Sequence, residues 1–285
     1  MGGYNSKMSD VITNENNDQT LPELRSASRL VVLLGSSEGI KDQSKKLLRY
    51  TAVLKVRRGV LIVTSLSSAI ETEIQAVKQI SFVKTREIPS SREKSDDFYF
   101  KRVFSIVAFS LKNPTAKQKK RIERLVKNSI GVRLRPGVIL FPLFRSKEQK
   151  RLMQSNGENP LLDSIRFKQK LMEIGANTFR WSRLRLVNQG DSPLITQYLE
   201  VNLTRDLLAI ETKIQSLREL NKNPEIPLKQ LKRNYTLISG RFKETKLKWM
   251  QAKKLWSYDA EKKLKRTYNL LIGTRRAIIE RESSV

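Results

Sequence analysis

The stretch Gly131–Pro142, GVRLRPGVILFP, decides how this chain is read. Arg133 and Arg135 alternate with Val132 and Leu134, the two-residue period of a strand with unlike faces. Pro136-Gly137 then interrupts the run, and the glycine supplies the backbone freedom that a tight turn or bulge needs. The following VILFPL is apolar on both sides, as a strand covered on both faces must be. The segment therefore predicts two strands joined at Pro136-Gly137, with arginines on one face of the first.

The pattern occurs a second time. LKVRRGVLIVTS, from Leu54, aligns with VRLRPGVILFPL, from Val132, matching Lys55 to Arg133, Arg57 to Arg135, Gly59 to Gly137 and Val60 to Val138. The flanks agree. RLVVLLGSS (29–37) and a helical IKDQSKKLLRY precede the first copy; SAIETEIQAVKQI and SFVKTREI follow it. FSIVAFSL (104–111) and NPTAKQKKRIERLVKNS precede the second; SKEQKRLMQ, LLDSIRFKQKLMEIG and NTFRWSRLRLV follow it. Each copy reads strand–helix–strand–strand–helix–strand, the second lengthened around SNGENP (155–160). This is the order of a split βαβ, ferredoxin-like unit, which covers one sheet face with helices and leaves the other open. On that open face the alternation places Lys55, Arg57, Arg133 and Arg135, toward a polyanion or a partner sheet. In the last strand Arg183 and Arg185 share a face, with Arg180 on the other side.

The expected fold class is α+β: two tandem ferredoxin-like units, 29–90 and 98–190, followed by a helical region, 193–285. IPSSREKSDD (88–97) reads as a polar linker between the units. Residues 1–25 read as a disordered leader, rich in Asn, Asp and Ser and poor in apolar residues. In the helical third, Leu203, Leu207, Ile210, Ile214 and Leu217 recur in steps of three and four. After the break at NKNPEIP the seam resumes from Leu228 through Leu231, Tyr235, Ile238, Phe242, Thr245, Trp249, Ala252 and Trp256, which predicts a coiled-coil hairpin. Residues 259–283 continue as helix after a kink near Ser257-Tyr258. Trp249 and Trp256 fall on the seam, so packing rather than base stacking is their expected role.

Composition narrows the chemistry. The 285 residues contain no cysteine and no histidine, which excludes disulfides, thiolate metal sites, cysteine nucleophiles and Ser-His-Asp triads. The formal net charge is +28, and residues 101–190 carry +16 of it. Such a field attracts polyanions. The most basic helix follows Asn113, its expected N-cap, and Pro114 at its first position. Ala116, Ile122, Leu125 and Val126 form its expected buried stripe. Lys117, Lys119, Lys120, Arg121, Arg124 and Lys127 take its outer side against Glu123 alone. The third region adds Lys243, Lys246, Lys248, Lys253, Lys254, Lys262, Lys263, Lys265 and Arg266 on its expected exposed sides.

The segments 103–142 and, more weakly, 29–65 resemble a ferredoxin-like superfamily. It comprises small CRISPR adaptation nuclease and scaffold proteins, the C-terminal domain of phenylacetate-degradation repressors and the N-terminal domain of chromate-resistance regulators. The LRPGVILFP run carries most of the resemblance, which spans residues 29–188. It implies paired ferredoxin-like units, here supplied by one chain. Nuclease-active relatives place a metal-binding aspartate at the end of their first strand. The matching positions here, near Ser110 and Gly35-Ser36, are not acidic, and neither Asp96-Asp97 nor Glu38 stands in their place.

The resulting expectation is a non-catalytic nucleic-acid-binding protein, for DNA or RNA, with weak sequence preference. It needs no metal or cofactor, inserts in no membrane and works in the cytoplasm. Its contacts are expected from Lys55, Arg57, Lys117, Lys119, Lys120, Arg121, Arg124, Arg133, Arg135, Arg183, Arg185, Lys253, Lys254, Lys262 and Lys263. The alternatives are a metal-dependent nuclease using Asp96 or Asp97, and an assembly or transcription-regulatory protein. The latter would bind a protein partner, or itself, through 193–285.

Overall fold

A computed structural model describes residues 28–90, 99–148, 150 and 161–283. The expectations for the leader, for most of the linker with Asp96 and Asp97, and for SNGENP lie outside those residues. The fold is α+β, built on an antiparallel sheet of eight strands. The first half runs β1 (Arg29–Leu33), α1 (Ser37–Leu47), β2 (Val53–Arg57), β3 (Val60–Val63), α2 (Ser68–Gln75) and β4 (Gln79–Lys84). The second runs β5 (Val103–Ser110), α3 (Ala116–Lys127), β6 (Val132–Arg135), β7 (Val138–Leu143), α4 (Ser164–Glu173) and β8 (Asn177–Leu186).

The strand order is β2-β3-β1-β4-β8-β5-β7-β6, so the two halves have mirrored orders and meet where β4 pairs with β8. That junction is short, Phe82–Lys84 against Leu184–Leu186. The quoted segment lies at the far edge: β6 is the edge strand, and the apolar β7 is inserted between β6 and β5.

Alternation divides each strand between two layers. Val31, Leu33, Leu61 and Val63 pack against Ile40 and Leu47 of α1 and Ile70 and Ile74 of α2. Leu30, Val32, Ile62, Ile80 and Phe82 point the other way, into a core that also holds Phe104, Ile106, Ala108, Val138 and Leu140. Phe82 and Phe104 meet edge to face across it, ring centroids 6.3 Å apart. The helix-free faces of the two halves therefore cover each other. The face expected to be open is therefore interior, covered by the other half and, at Phe104, by Trp256.

Three long helices follow, α5 (Ser192–Lys222), α6 (Leu228–Trp256) and α7 (Glu261–Ser283). Leu203, Leu207, Ile210, Ile214 and Leu217 are buried in α5, as are Leu231, Ile238, Phe242, Trp249 and Trp256 in α6. α5 and α6 pack on each other as the arms of a hairpin, and α7 packs on both, making a three-helix bundle. α6 ends where Ser257 adopts φ +47. Trp256 docks the bundle on the sheet: it stacks on Phe104 at 6.0 Å and its Nε1–H donates to the Ile130 carbonyl at 2.9 Å. Trp249 donates to Asp206 at 3.3 Å. The cavity at this junction is only about 10 Å³.

Candidate nucleic-acid interface

α3 is the most basic helix of the sheet domain and its cations are free to act. Its N-cap is Thr115, not Asn113: the Thr115 hydroxyl accepts from the Gln118 backbone N–H, and the Gln118 side chain accepts in turn from the Thr115 backbone, a capping box. Asn113 lies outside the helix at φ +43. Val126 is buried, and Ile122 and Leu125 are half-buried against the sheet, whereas Ala116 is exposed, contrary to the expected stripe. Lys117, Lys119, Lys120, Arg121, Arg124 and Lys127 are all exposed. Of these, Arg121 alone has an ion pair among the described residues, a 3.7 Å approach to Glu173 of α4. Positions three and four apart share a helix face, so Lys117, Lys120, Arg121, Arg124 and Lys127 form a continuous cationic row.

The strand arginines are placed differently from expectation. In both copies the register shifts between the two basic positions, Lys55/Arg57 and Arg133/Arg135. Cross-strand partners share a face. Lys55 opposes Leu61 and Arg133 opposes Ile139, on the helix-covered sides; Arg57 opposes Val60 and Arg135 opposes Val138, on the sides that meet. A one-residue bulge thus sends the two basic residues of each copy to opposite faces.

Arg57 and Arg135 then reach across the seam reciprocally. Arg57 donates to the Asn177 carbonyl at 2.7 Å and lies over the Phe179 ring at 5.1 Å. Arg135 donates to the Leu33 carbonyl at 3.3 Å. Burial pushes both guanidinium pKa values down. Their first visible work is therefore to tie the halves together. Arg133 is also half-buried: burial and then the neighbouring Arg205 lower its pKa, opposed by Glu123 and Asp206. Its carbonyl accepts from Asn202 of α5 at 3.2 Å. Lys55 remains exposed on its edge strand.

On β8, Arg183 and Arg185 are exposed, and Arg183 adopts φ +58 where the β5–β8 register shifts. Arg180 faces the helix side and donates to Ser164 Oγ at 3.0 Å. In the bundle, Lys254 and Lys262 are exposed, but Lys253 pairs with Asp259 at 2.8 Å and Lys263 pairs with Glu200. Lys248, expected outside, turns inward to Asp206 at 3.1 Å. The predicted cations thus fall into free surface groups, of which α3 is the densest, and groups already engaged within the fold. Sequence reasoning passed over Arg58; its only signal there is its place beside the Arg57–Gly59 pair.

Ser110 and Gly35-Ser36, the positions matching a metal-binding aspartate, lie at the ends of β5 and β1. Among the described residues no group of three or more acidic side chains is placed to hold a metal ion. No described helix is long and apolar enough to cross a membrane. Comparison of the chain with family models, curated proteins and solved structures returns no match.

Proposed function

We propose that this chain is a non-catalytic nucleic-acid-binding protein built on two fused ferredoxin-like units, with α3 as its principal phosphate-contacting element. The observation that carries the reading is the row of exposed cations on α3, almost none of them neutralised by the protein itself. Six like charges on twelve residues repel one another, so a helix that keeps them exposed gains from an anionic partner.

The fused-unit reading is supported by the mirrored strand orders, by the same bulge in both copies, and by Gly59 and Gly137 at φ +69 and +76. The sequence carries no base-reading motif, so contacts to phosphates, which hold no sequence information, dominate and sequence preference is weak. Arg183, Arg185, Lys55, Lys254 and Lys262 extend the surface, while Arg57 and Arg135 contribute by holding the halves in register. The test is equilibrium binding of labelled DNA and RNA duplexes and single strands of mixed sequence at stepped salt. The expected result is binding at low salt that falls steeply as salt rises, with little dependence on sequence. No binding to any of the probes at low salt would overturn the proposal.

A further inference from the structure

Arg135 of β6 and Arg58 of the β2–β3 turn converge on the β1–α1 loop, where Glu38, in the first turn of α1, pairs with neither among the described residues. Arg135 reaches it from β6 through the Leu33 carbonyl, and Arg58 reaches it from the β2–β3 turn, donating to the Ser37 carbonyl at 3.0 Å. Leu33 and Ser37 bracket Gly35, and a Cβ built on Gly35 would meet nothing within 4 Å, so the space over the loop is open. A guanidinium carries five N–H donors. The carbonyl bonds use one on each. Among the described residues neither arginine has an ion pair. Burial, and then the charge of Arg58, push the Arg135 pKa down, opposed by Tyr198.

Packing does not require this pair. In the second copy Pro136 stands where Arg58 stands in the first, and Arg57, the counterpart of Arg135, is engaged by the Asn177 carbonyl and the Phe179 ring. The seam closes on that side with one arginine. The second arginine on the first side is an addition to the duplicated plan, and it faces open space.

We propose that the β1–α1 loop binds a phosphate monoester dianion between Arg58 and Arg135. The planar donor forks of two arginines suit the several oxygens of a phosphate, and charge-assisted bonds of this kind are the strong ones. A terminal phosphate of a nucleic-acid strand and free inorganic phosphate share this chemistry. The site does not depend on α3 and stands whether or not α3 binds nucleic acid.

Thermal unfolding of the full chain in sodium phosphate, against sodium chloride at matched ionic strength and pH, tests it. Wild type is expected to show a saturable rise in Tm with phosphate. The quadruple variant Lys119→Ala, Lys120→Ala, Arg121→Ala, Arg124→Ala is expected to keep that rise. Arg58→Gln is expected to lose it, and because Arg58 is exposed the variant should fold. Arg135→Gln also removes the Leu33 hydrogen bond, so Arg58→Gln is decisive. Absence of a rise in wild type, or an undiminished rise in Arg58→Gln, would overturn the proposal. A second arm compares 5′-phosphorylated and 5′-hydroxyl duplexes of one sequence. A several-fold preference for the phosphorylated end, abolished in Arg58→Gln, assigns the site to strand termini. Equal affinity with the phosphate response intact assigns it to free phosphate.

Discussion

Gly59→Ala should strain the seam between the two halves, and the strain should depend on Arg135. Gly59 sits at φ +69. A Cβ there would stand 1.6 Å from Arg135 Nη1, 2.8 Å from its Cζ and 2.8 Å from Ile40 Cγ2. The left-handed backbone alone costs an L-residue about 1–2 kcal/mol. The overlap also drives the guanidinium off the Leu33 carbonyl, a penalty of about 1.5–3 kcal/mol for a hydrogen bond from a charged donor. The expected cost in an otherwise wild-type chain is therefore about 2.5–5 kcal/mol. With Arg135→Ala already present, the overlap with the guanidinium is gone and only the backbone cost and the Ile40 overlap remain. The double-mutant cycle should show a coupling of at least about 1 kcal/mol. Gly137→Ala is the control: its Cβ would meet the Phe109 carbonyl oxygen at 2.6 Å. That is a backbone atom, so Arg57→Ala should bring no relief. Urea unfolding followed by tryptophan fluorescence measures all the corners. Additivity of Gly59→Ala and Arg135→Ala within about 0.5 kcal/mol would refute the reciprocal arginine clasp.

Further outcomes follow from other parts of the fold. Trp256→Phe keeps the ring on Phe104 but leaves the Ile130 carbonyl without its indole donor, and should cost about 1–3 kcal/mol in urea unfolding; Trp256→Ala should cost about 3–5 kcal/mol. Burial raises the Asp191 carboxyl pKa, opposed by the Ser81 N–H that donates to it at 3.3 Å. The folded state therefore holds the Asp191 proton more tightly than the unfolded chain. Its contribution to stability should rise as pH falls through the raised value, and level off below the ordinary aspartate range. Asp191→Asn should remove that pH dependence, read as the difference between the two unfolding curves across acid pH. Lys248 and Asp206 pair at 3.1 Å with little exposure, so Lys248→Met should cost about 3 kcal/mol or more by leaving a buried carboxylate, with partial recovery in Asp206→Leu/Lys248→Met.

Much of the plan was legible because it rests on periodicity. The alternation in Val132–Arg135, the apolar run after Gly137 and the repeat at Gly59 give strand order along the chain. The three-and-four spacing from Leu203 to Leu217 gives a buried helix face. What lay beyond the sequence was set by single residues and by layers. A bulge moves Arg57 and Arg135 to the opposite face from Lys55 and Arg133, and alternation counted residue by residue has no means to register it. The free face of an isolated unit becomes an interior when a second unit lies on it, which turned two expected surface arginines into cross-seam ties. Lys248 falls where Asp206 of another helix meets it, a partner 42 residues away that no local pattern announces. The exposure of the α3 cations was legible because nothing apolar on that helix face calls for cover.

The central claim is that α3 contacts phosphates, and the salt dependence of binding tests it most directly. The slope of log K against log salt concentration should be measured on one duplex for wild type and for the quadruple alanine variant at Lys119, Lys120, Arg121 and Arg124. Each phosphate that a variant no longer neutralises flattens the slope by about 0.9. Three of these four cations have no ion pair among the described residues, so the variant's slope should be shallower by about 3. An unchanged slope, in a variant that unfolds like wild type, would contradict the account and move the interface off α3.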